Sequence, residues 1–127
     1  MQAEKIEGYL INLGISFEAV EKNSWIINDS EKGLEQVIVM FAEPLVIIRI
    51  NVMQLPKSGR EELFETLLRL NASDCIHGAY AIDGQNVVII DIMEYDIMTF
   101  EEFQSSLDSI SLALAEHYQI LNKFRIT

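Results

Sequence analysis

The sequence predicts a single α+β domain, residues 1–127, in which three helices accompany a mainly antiparallel sheet of five strands. The length of 127 residues suits one domain of ordinary size. Half of the residues are hydrophobic and 23% are charged, which is a globular composition. Strand-like runs occur as adjacent hairpins, without the crossover helices that a parallel sheet requires, so the helices are expected at the margins of the sheet.

The first part of the chain predicts a short helix followed by extended structure. Residues 4–13 carry apolar side chains at helical spacing, and Gly14 suits the helix C-terminus because glycine adopts the left-handed conformation readily. Residues 15–28 alternate loosely between apolar and polar positions. They are expected to form one strand interrupted near residues 21–24, or two short strands. Residues 28–33 are polar and are expected to form a loop.

Two hairpins are predicted in the rest of the sheet. Val37–Phe41 and Leu45–Met53 are dense in β-branched residues and are separated by a short segment with a proline. Ala79–Ile82 and Asn86–Glu94 are joined by Asp83–Gln85, which contains the Asp-Gly pair typical of tight hairpin turns.

Two helix starts are predicted from capping boxes. Ser58 with Glu61 places one start at Gly59, and Thr99 with Glu102 places the other before a helix that continues to about Phe124. The buried stripe of the first of these helices is expected to comprise Leu63, Phe64, Leu67, Leu68 and Leu70. That of the last helix is expected to comprise Phe100, Phe103, Leu107, Ile110, Leu114, His117 or Tyr118, and Leu121. The predicted order is α-β-β-β-α-β-β-α.

The charge of the chain restricts its partners. With 20 acidic against 9 basic residues, the formal net charge is −11. Phosphate backbones and anionic membranes repel such a protein, so we expect neither nucleic acid nor membrane as a partner. Cys75 is the single cysteine, which is typical of a reducing compartment. No secretion signal is recognisable at the N-terminus, and the expected location is the cytoplasm.

Catalytic and metal-binding motifs are not recognisable in the sequence. Cys75 and His77 form a Cys-x-His pair, but a structural zinc site needs about four ligands and no second pair follows. The acids between Asp91 and Glu102 lack the spacing of a calcium loop, and the glycines do not form a phosphate-binding loop. We therefore expect no metal, no cofactor and no enzymatic activity. An enzyme that uses Cys75 is the least favoured hypothesis.

The strand patterns suggest a sheet with more apolar surface than one helix layer requires. Even positions form one apolar face, comprising Val46, Ile48, Ile50 and Val52 in the first hairpin and Val88, Ile90 and Ile92 in the second. The odd positions form a mixed second face around Arg49, Asn51 and Asp91, in which Arg49 and Asp91 are placed to pair across strands. The candidate partner-binding residues are Trp25, Ile47, Arg49, Met53, Val87, Ile89 and Asp91. The alternative is that the chain's own helices, or a second copy, cover this face.

The second half of the chain resembles a known family. Leu67–Asn71, Gly78–Asp83, Val87–Ile90 and Thr99–Phe103 are similar to the type III secretion chaperone-like fold, which includes the Tir-chaperone family and YbjN-type domains. This resemblance implies a small, acidic, cytosolic homodimer that holds a partner chain in an extended form. The YbjN-type version implies a domain with a regulatory role. A competing hypothesis is a sensory domain that binds a small ligand or responds to pH through His77 or His117.

Overall fold

The computed structural model describes residues 4–21, 23–74 and 77–125. Its helices are α1 (Glu4–Leu13), α2 (Arg60–Ser73) and α3 (Phe100–Asn122). Its strands are β1 (Ser16–Glu21), β2 (Ser24–Asp29), β3 (Leu34–Ala42), β4 (Leu45–Gln54), β5 (Ala79–Asp83) and β6 (Asn86–Glu94). A single 3₁₀ turn at Ser30–Lys32 lies in the expected loop between β2 and β3.

The sheet has six strands in the order β1-β2-β3-β4-β6-β5, and every neighbouring pair is antiparallel. The prediction of five strands is therefore wrong by one. The extra strand arises because residues 15–28 form two short strands, the second of the alternatives that the sequence allowed. Asn23, in the left-handed region with a φ of 65°, lies at the reversal between them. The alternation of helices and hairpins is otherwise as predicted.

The helices pack against one face of the sheet, which we call the covered face. Trp25, Val39 and Ile48 lie side by side there on adjacent strands and are almost completely buried. Their core also includes Ile6 of α1 and Phe103 of α3. A sheet packed on one side by helices is the two-layer arrangement expected for an α+β domain, because each layer buries its apolar side in the other.

The two predicted capping boxes have different outcomes. Thr99 Oγ1 accepts a hydrogen bond from the Glu102 backbone N–H, and Glu102 Oε1 accepts one from the Thr99 backbone N–H, so α3 begins as expected. The Ser58 box is wrong. The N-cap of α2 is Gly59, whose φ of 75° is in the left-handed region, and no side chain caps this helix.

The register of β4 and β6 corrects the predicted faces. Ile50 pairs with Ile89 and Ile48 pairs with Asp91, so the odd positions of β6 lie on the covered face. Its even positions lie on the other face, which we call the open face. A bulge between Asn51 and Met53 also turns Met53 towards the core. The sequence could not reveal this, because Val87–Ile90 is apolar at every position and does not alternate.

A candidate protein-binding surface on the open face of the sheet

Paired residues place aliphatic side chains in rows that run across the open face. One row reads Glu18, Ile26, Ile38, Arg49, Ile90 and Ala79 from β1 to β5. The next row reads Glu21, Ser24, Met40, Ile47 and Ile92 from β1 to β6. A third, shorter row contains Ala42, Leu45 and Glu94. Because directly opposed residues in antiparallel strands share a face, each row forms a continuous strip.

The large apolar side chains of these rows form what we call the aliphatic centre. Its members are Ile26, Ile38, Met40, Leu45, Ile47, Ile90 and Ile92. None of them belongs to the hydrophobic core or to the side chains packed against it, within the residues that the structure describes. Ile92 is 54% exposed and Met40 is 38% exposed, whereas the remaining members are partly buried by one another and by the sheet. The open face is thus an apolar surface without a helix layer in the described chain.

Arg49 crosses the open face and pairs with Asp83, not with Asp91. Arg49 lies on β4 and Asp83 on β5, so this ion pair passes over the intervening strand β6. Val88 of β6 lies on the same face, opposite Asn51 and Ala81, and is fully buried although it is outside the core. The ion pair is partly exposed, so it contributes little to stability. Its effect on the surface is that Arg49 is already neutralised.

The predicted binding residues are divided between the two faces. Ile47 and Arg49 lie on the open face, as expected. The grouping of the others with them is wrong, because the register and the bulge turn their side chains to the covered face. This second group consists of Trp25, Met53, Val87, Ile89 and Asp91.

Polar groups on the covered face are hydrogen-bonded to the helices above them. Trp25 is 2% exposed, and its Nε1 donates to Glu7 Oε2 of α1 at 2.8 Å. Asp91 Oδ2 accepts a hydrogen bond from Ser106 Oγ of α3 at 2.6 Å. A buried polar group without a partner is costly, so these bonds explain how polar residues occur beneath the helices. Trp25 and Asp91 therefore attach the helix layer to the sheet.

The two histidines differ in their environment. His77 is exposed. His117 is buried in α3, with Nδ1 2.7 Å from the Tyr80 hydroxyl and Nε2 3.2 Å from Asp74 Oδ2. A carboxylate only accepts hydrogen bonds, so Nε2 is the protonated nitrogen and donates the hydrogen bond to Asp74 Oδ2. In the neutral ring, Nδ1 then accepts from Tyr80. His117 thus connects α3 to β5 and to the end of α2.

Raised pKa values occur where side chains contact the helix layer. Burial raises the pKa of Tyr9, whose hydroxyl donates to the Met98 carbonyl at 3.2 Å. Burial also raises the pKa of Tyr95, whose ring packs on Phe41. A hydrogen bond to Asp108 raises the pKa of Lys32. Burial thus accounts for the raised pKa of the two tyrosines, whereas the raised pKa of Lys32 reflects its partly exposed ion pair with Asp108 of α3.

A second apolar surface was missed by the sequence reasoning. Phe64 and Leu68 of α2, which were predicted to be buried, are exposed, and Leu68 is 68% exposed. Together with Ile82 of β5 they border a cavity of about 260 Å³ that we call the α2–β5 groove. No sequence signal marked this surface, because five apolar residues in eleven positions of α2 are about what one buried stripe requires.

A family model describes the whole chain. The model named CesT_Tir_1 matches residues 1–127. The chain belongs to the CesT_Tir_1 family. The predicted resemblance to the type III secretion chaperone-like fold is thereby confirmed.

Solved structures with this fold include members from several bacteria. YbjN of E. coli, proposed to be a transcription regulator, has a TM-score of 0.71 at 17% identity over 91% of this chain and 90% of that chain. A chain of the ExoU–SpcU complex of the Pseudomonas aeruginosa type III secretion system has a TM-score of 0.62 at 10% identity, covering 87% and 93%. The Yersinia pestis type III secretion chaperone SycH, in complex with a fragment of YscM2, has a TM-score of 0.62 at 15% identity, covering 91% and 98%. No curated protein matches the CesT_Tir_1 member in sequence at a significant level.

In residues 4–21, 23–74 and 77–125, no three side chains among His, Cys, Asp and Glu come together as a metal site. Cys75, the residue of the least favoured hypothesis, lies outside the described residues. None of the helices in the described part of this family member combines the length and hydropathy needed to cross a membrane.

Proposed function

We propose that the protein is a non-catalytic protein-binding domain, chaperone-like or regulatory, that acts in the cytoplasm and holds a partner chain on the open face of its sheet. The single observation that carries this proposal is the aliphatic centre, which lies outside the core and has no helix over it. Contiguous apolar surfaces of this kind on soluble proteins are typical of interaction sites.

The antiparallel sheet itself supports this proposal. Antiparallel sheets commonly expose one face to water. The residues on that face are then polar and alternate along each strand with the apolar residues of the core face. Here β3, β4 and β6 each carry aliphatic residues on the exposed side, including Ile38, Ile47 and Ile92. A partner segment on this face would complete a third layer and bury these side chains. Two of the solved structures with the same fold are protein complexes. One is the ExoU–SpcU heterodimer, and the other is the chaperone SycH bound to a fragment of YscM2.

The proposed contacts are Ile47, between Met40 and Ile92 in the second row, and Arg49, between Ile38 and Ile90 in the first row. The remaining candidates contribute indirectly. Trp25, Met53, Val87 and Ile89 form the buried underside of the same sheet, and Asp91 is bonded to α3. Replacing these residues is expected to destabilise the fold and thereby affect binding, without a direct contact to the partner.

Capture experiments with matched surface variants test the proposal. Ile47→Asp and Ile92→Asp each place a carboxylate in the aliphatic centre, whereas Leu112→Asp places one on an exposed position of α3. The partner should be retained by the wild type and by Leu112→Asp, and should be lost by both open-face variants. Circular dichroism and urea unfolding establish that the variants are folded. Equal retention of the same partner by all variants would show that the open face is not the binding site.

The family resemblance also implies a homodimer, and for this we propose the α2–β5 groove, with a second copy as its occupant. This surface lies at the β5 edge of the sheet and is formed by Phe64, Leu68 and Ile82. Two copies related by a two-fold axis would place the same apolar side chains against each other, which is the self-complementary contact that a symmetric dimer requires. The open face of each copy would then remain available for the partner.

A further inference from the structure

We propose that the segment held on the open face is a cationic, amphipathic stretch of the partner protein. Its apolar side chains would contact the aliphatic centre and its Lys or Arg side chains would lie at the margins. This inference rests on the proposed function and specifies the chemistry of the partner.

Carboxylates border the aliphatic centre on several sides. Glu18 and Glu21 on β1 end the two long rows, and Glu94 on β6 lies opposite Leu45 in the short row. Glu43 lies in the turn between β3 and β4, next to that row. All of these acids are exposed, so their charges are available to a ligand at the surface. A segment with basic residues beside its apolar residues would meet a carboxylate at each of these margins.

The positive charge of the open face is already engaged. Arg49 forms an ion pair with Asp83, and within the described residues it is the cationic side chain in the rows. Lys22, between β1 and β2, lies outside the described residues. The described face therefore presents an apolar centre, a neutralised pair and a margin of carboxylates. Complementary charge at such a margin favours encounter and selects among partners more than it adds affinity.

The dimensions of the aliphatic centre suit a short segment. The two long rows carry their aliphatic side chains on β2, β3, β4 and β6, which span about 14 Å at a strand spacing of about 4.8 Å. Three turns of an α-helix rise about 16 Å. A segment of about 14 residues is therefore long enough to cover the rows and to place basic side chains at both ends.

A second copy of this chain is a poor occupant of the same surface. Two open faces brought together would oppose Glu18, Glu21 and Glu94 of one copy to acids of the other. Like charges brought together at an interface cost binding free energy. These marginal acids thus disfavour self-association through this face and favour a basic partner.

Two synthetic peptides of about 14 residues provide the probe. One is an amphipathic peptide of Leu and Lys, and the other has Glu in place of every Lys. Binding to the purified full chain is measured by calorimetry at about 0.15 M salt, where exposed charges beyond roughly 8 Å are screened. The Lys peptide should bind and the Glu peptide should bind at least about tenfold more weakly, which corresponds to about 1.4 kcal/mol.

Charge-matched variants separate a local effect from the overall charge. The open-face variant carries Glu18→Gln, Glu43→Gln and Glu94→Gln. The control carries Glu61→Gln, Glu101→Gln and Glu116→Gln, which remove the same charge from exposed positions of α2 and α3. The open-face variant should bind the Lys peptide about five- to tenfold more weakly than the control does, as expected for the loss of several surface charge pairs. Equal weakening in both variants would overturn the inference, because only net charge would then matter.

The variant Ile92→Asp distinguishes failure of this inference from failure of the proposed function. Loss of binding in Ile92→Asp, with equal affinity of the wild type for both peptides, would overturn the cationic preference and leave the open face as a binding site. Unchanged binding of the Lys peptide to Ile92→Asp would overturn the inference, and unchanged capture of the partner by Ile47→Asp would overturn the proposed function as well. A wild-type dimer that dissociates in Ile92→Asp would identify the occupant as a second copy, against this inference.

Discussion

Two buried polar residues show how single side chains hold the layers together. Ser106 and His117 are the buried polar residues that α3 contributes, and both bond across the helix–sheet interface. Ser106 donates to Asp91 of β6, and His117 lies between Tyr80 of β5 and Asp74. The sequence placed His117 or Tyr118 on the buried stripe. The structure resolves that alternative in favour of His117, because the histidine has polar partners there.

Replacing His117 with alanine is expected to destabilise the fold by about 2–4 kcal/mol, because a buried ring and hydrogen bonds at both of its nitrogens are lost. The measurement is urea unfolding followed by circular dichroism. Tyr118→Ala is the matched control, since Tyr118 is the next residue of α3 and is 56% exposed. We expect the control to change stability by less than about 1 kcal/mol. Similar losses in both variants would contradict the assignment of His117 to the interface.

Gly78 and Gly84 provide a second comparison at single positions. Both have positive φ values, 79° and 62°, at which an added side chain is strained. At Gly78 an added Cβ would also lie 2.8 Å from the Ile90 carbonyl oxygen, whereas at Gly84 the space is open. Gly78→Ala should therefore cost about 3 kcal/mol or more and Gly84→Ala about 1 kcal/mol, as measured by thermal unfolding. Equal losses of stability in the two variants would show that the close approach to the Ile90 carbonyl oxygen of β6 does not add to the cost at Gly78.

At the level of elements, the sequence predicted what local patterns determine. The first helix, both hairpins and the start of α3 occur where apolar spacing and turn or capping residues indicated them. The division of residues 15–28 remained open, because a loose alternation in a short segment does not fix where the chain reverses. The predicted capping residue of α2 was wrong, because the N-cap is Gly59 in a left-handed conformation and not Ser58.

The candidate site was only partly predictable, because it depends on register. Ile47 and Arg49 were correctly placed opposite the core face of β4, since that strand alternates clearly. Val87 and Ile89 were not, because their strand is apolar at successive positions, so its pattern does not determine which of its residues pair with the core-facing residues of β4. A shift by one residue exchanges the faces of a strand. The open face of β6 therefore became visible only from the pairing.

The edge of β5 is protected by α2, and this contact can be tested. Asn71 Oδ1 accepts from the Tyr80 backbone N–H at 2.8 Å, and Asn71 Nδ2 donates to the Tyr80 carbonyl at 3.2 Å. The side chain thus pairs with the edge strand as a neighbouring strand would. Asn71→Ala should cost about 1–2 kcal/mol in urea unfolding, because both bonds are lost. Ser73→Ala, which removes an exposed bond to the Arg69 carbonyl, should cost less than about 0.5 kcal/mol.

In the whole molecule, we propose different functions for the two apolar surfaces. The aliphatic centre covers the middle strands on the open face, and the α2–β5 groove lies at the edge beside the helix layer. A net charge of −11 keeps such a protein from associating non-specifically, although it exposes apolar side chains. Carboxylates border the open face, whereas Phe64, Leu68 and Ile82 form the groove. We assign a basic partner to the first surface because of these carboxylates, and a second copy to the groove because its apolar side chains at the β5 edge can form a self-complementary contact.

Leu68→Glu tests the assignment of the groove to a homodimer. Leu68 is the most exposed of the groove side chains, and in a two-fold contact each substitution would place a carboxylate at both copies of the interface. Burying such unpaired charges is costly, so we expect the dissociation constant from sedimentation equilibrium to rise by at least about 100-fold. Leu112→Glu, at a position of α3 that is 57% exposed, should leave it unchanged. Because Leu68 lies on α2 and not in the rows of the open face, monomeric Leu68→Glu should still bind the Leu–Lys peptide with wild-type affinity. A dimer that persists in Leu68→Glu and dissociates in Leu112→Glu would show that α3, and not the groove, forms the contact.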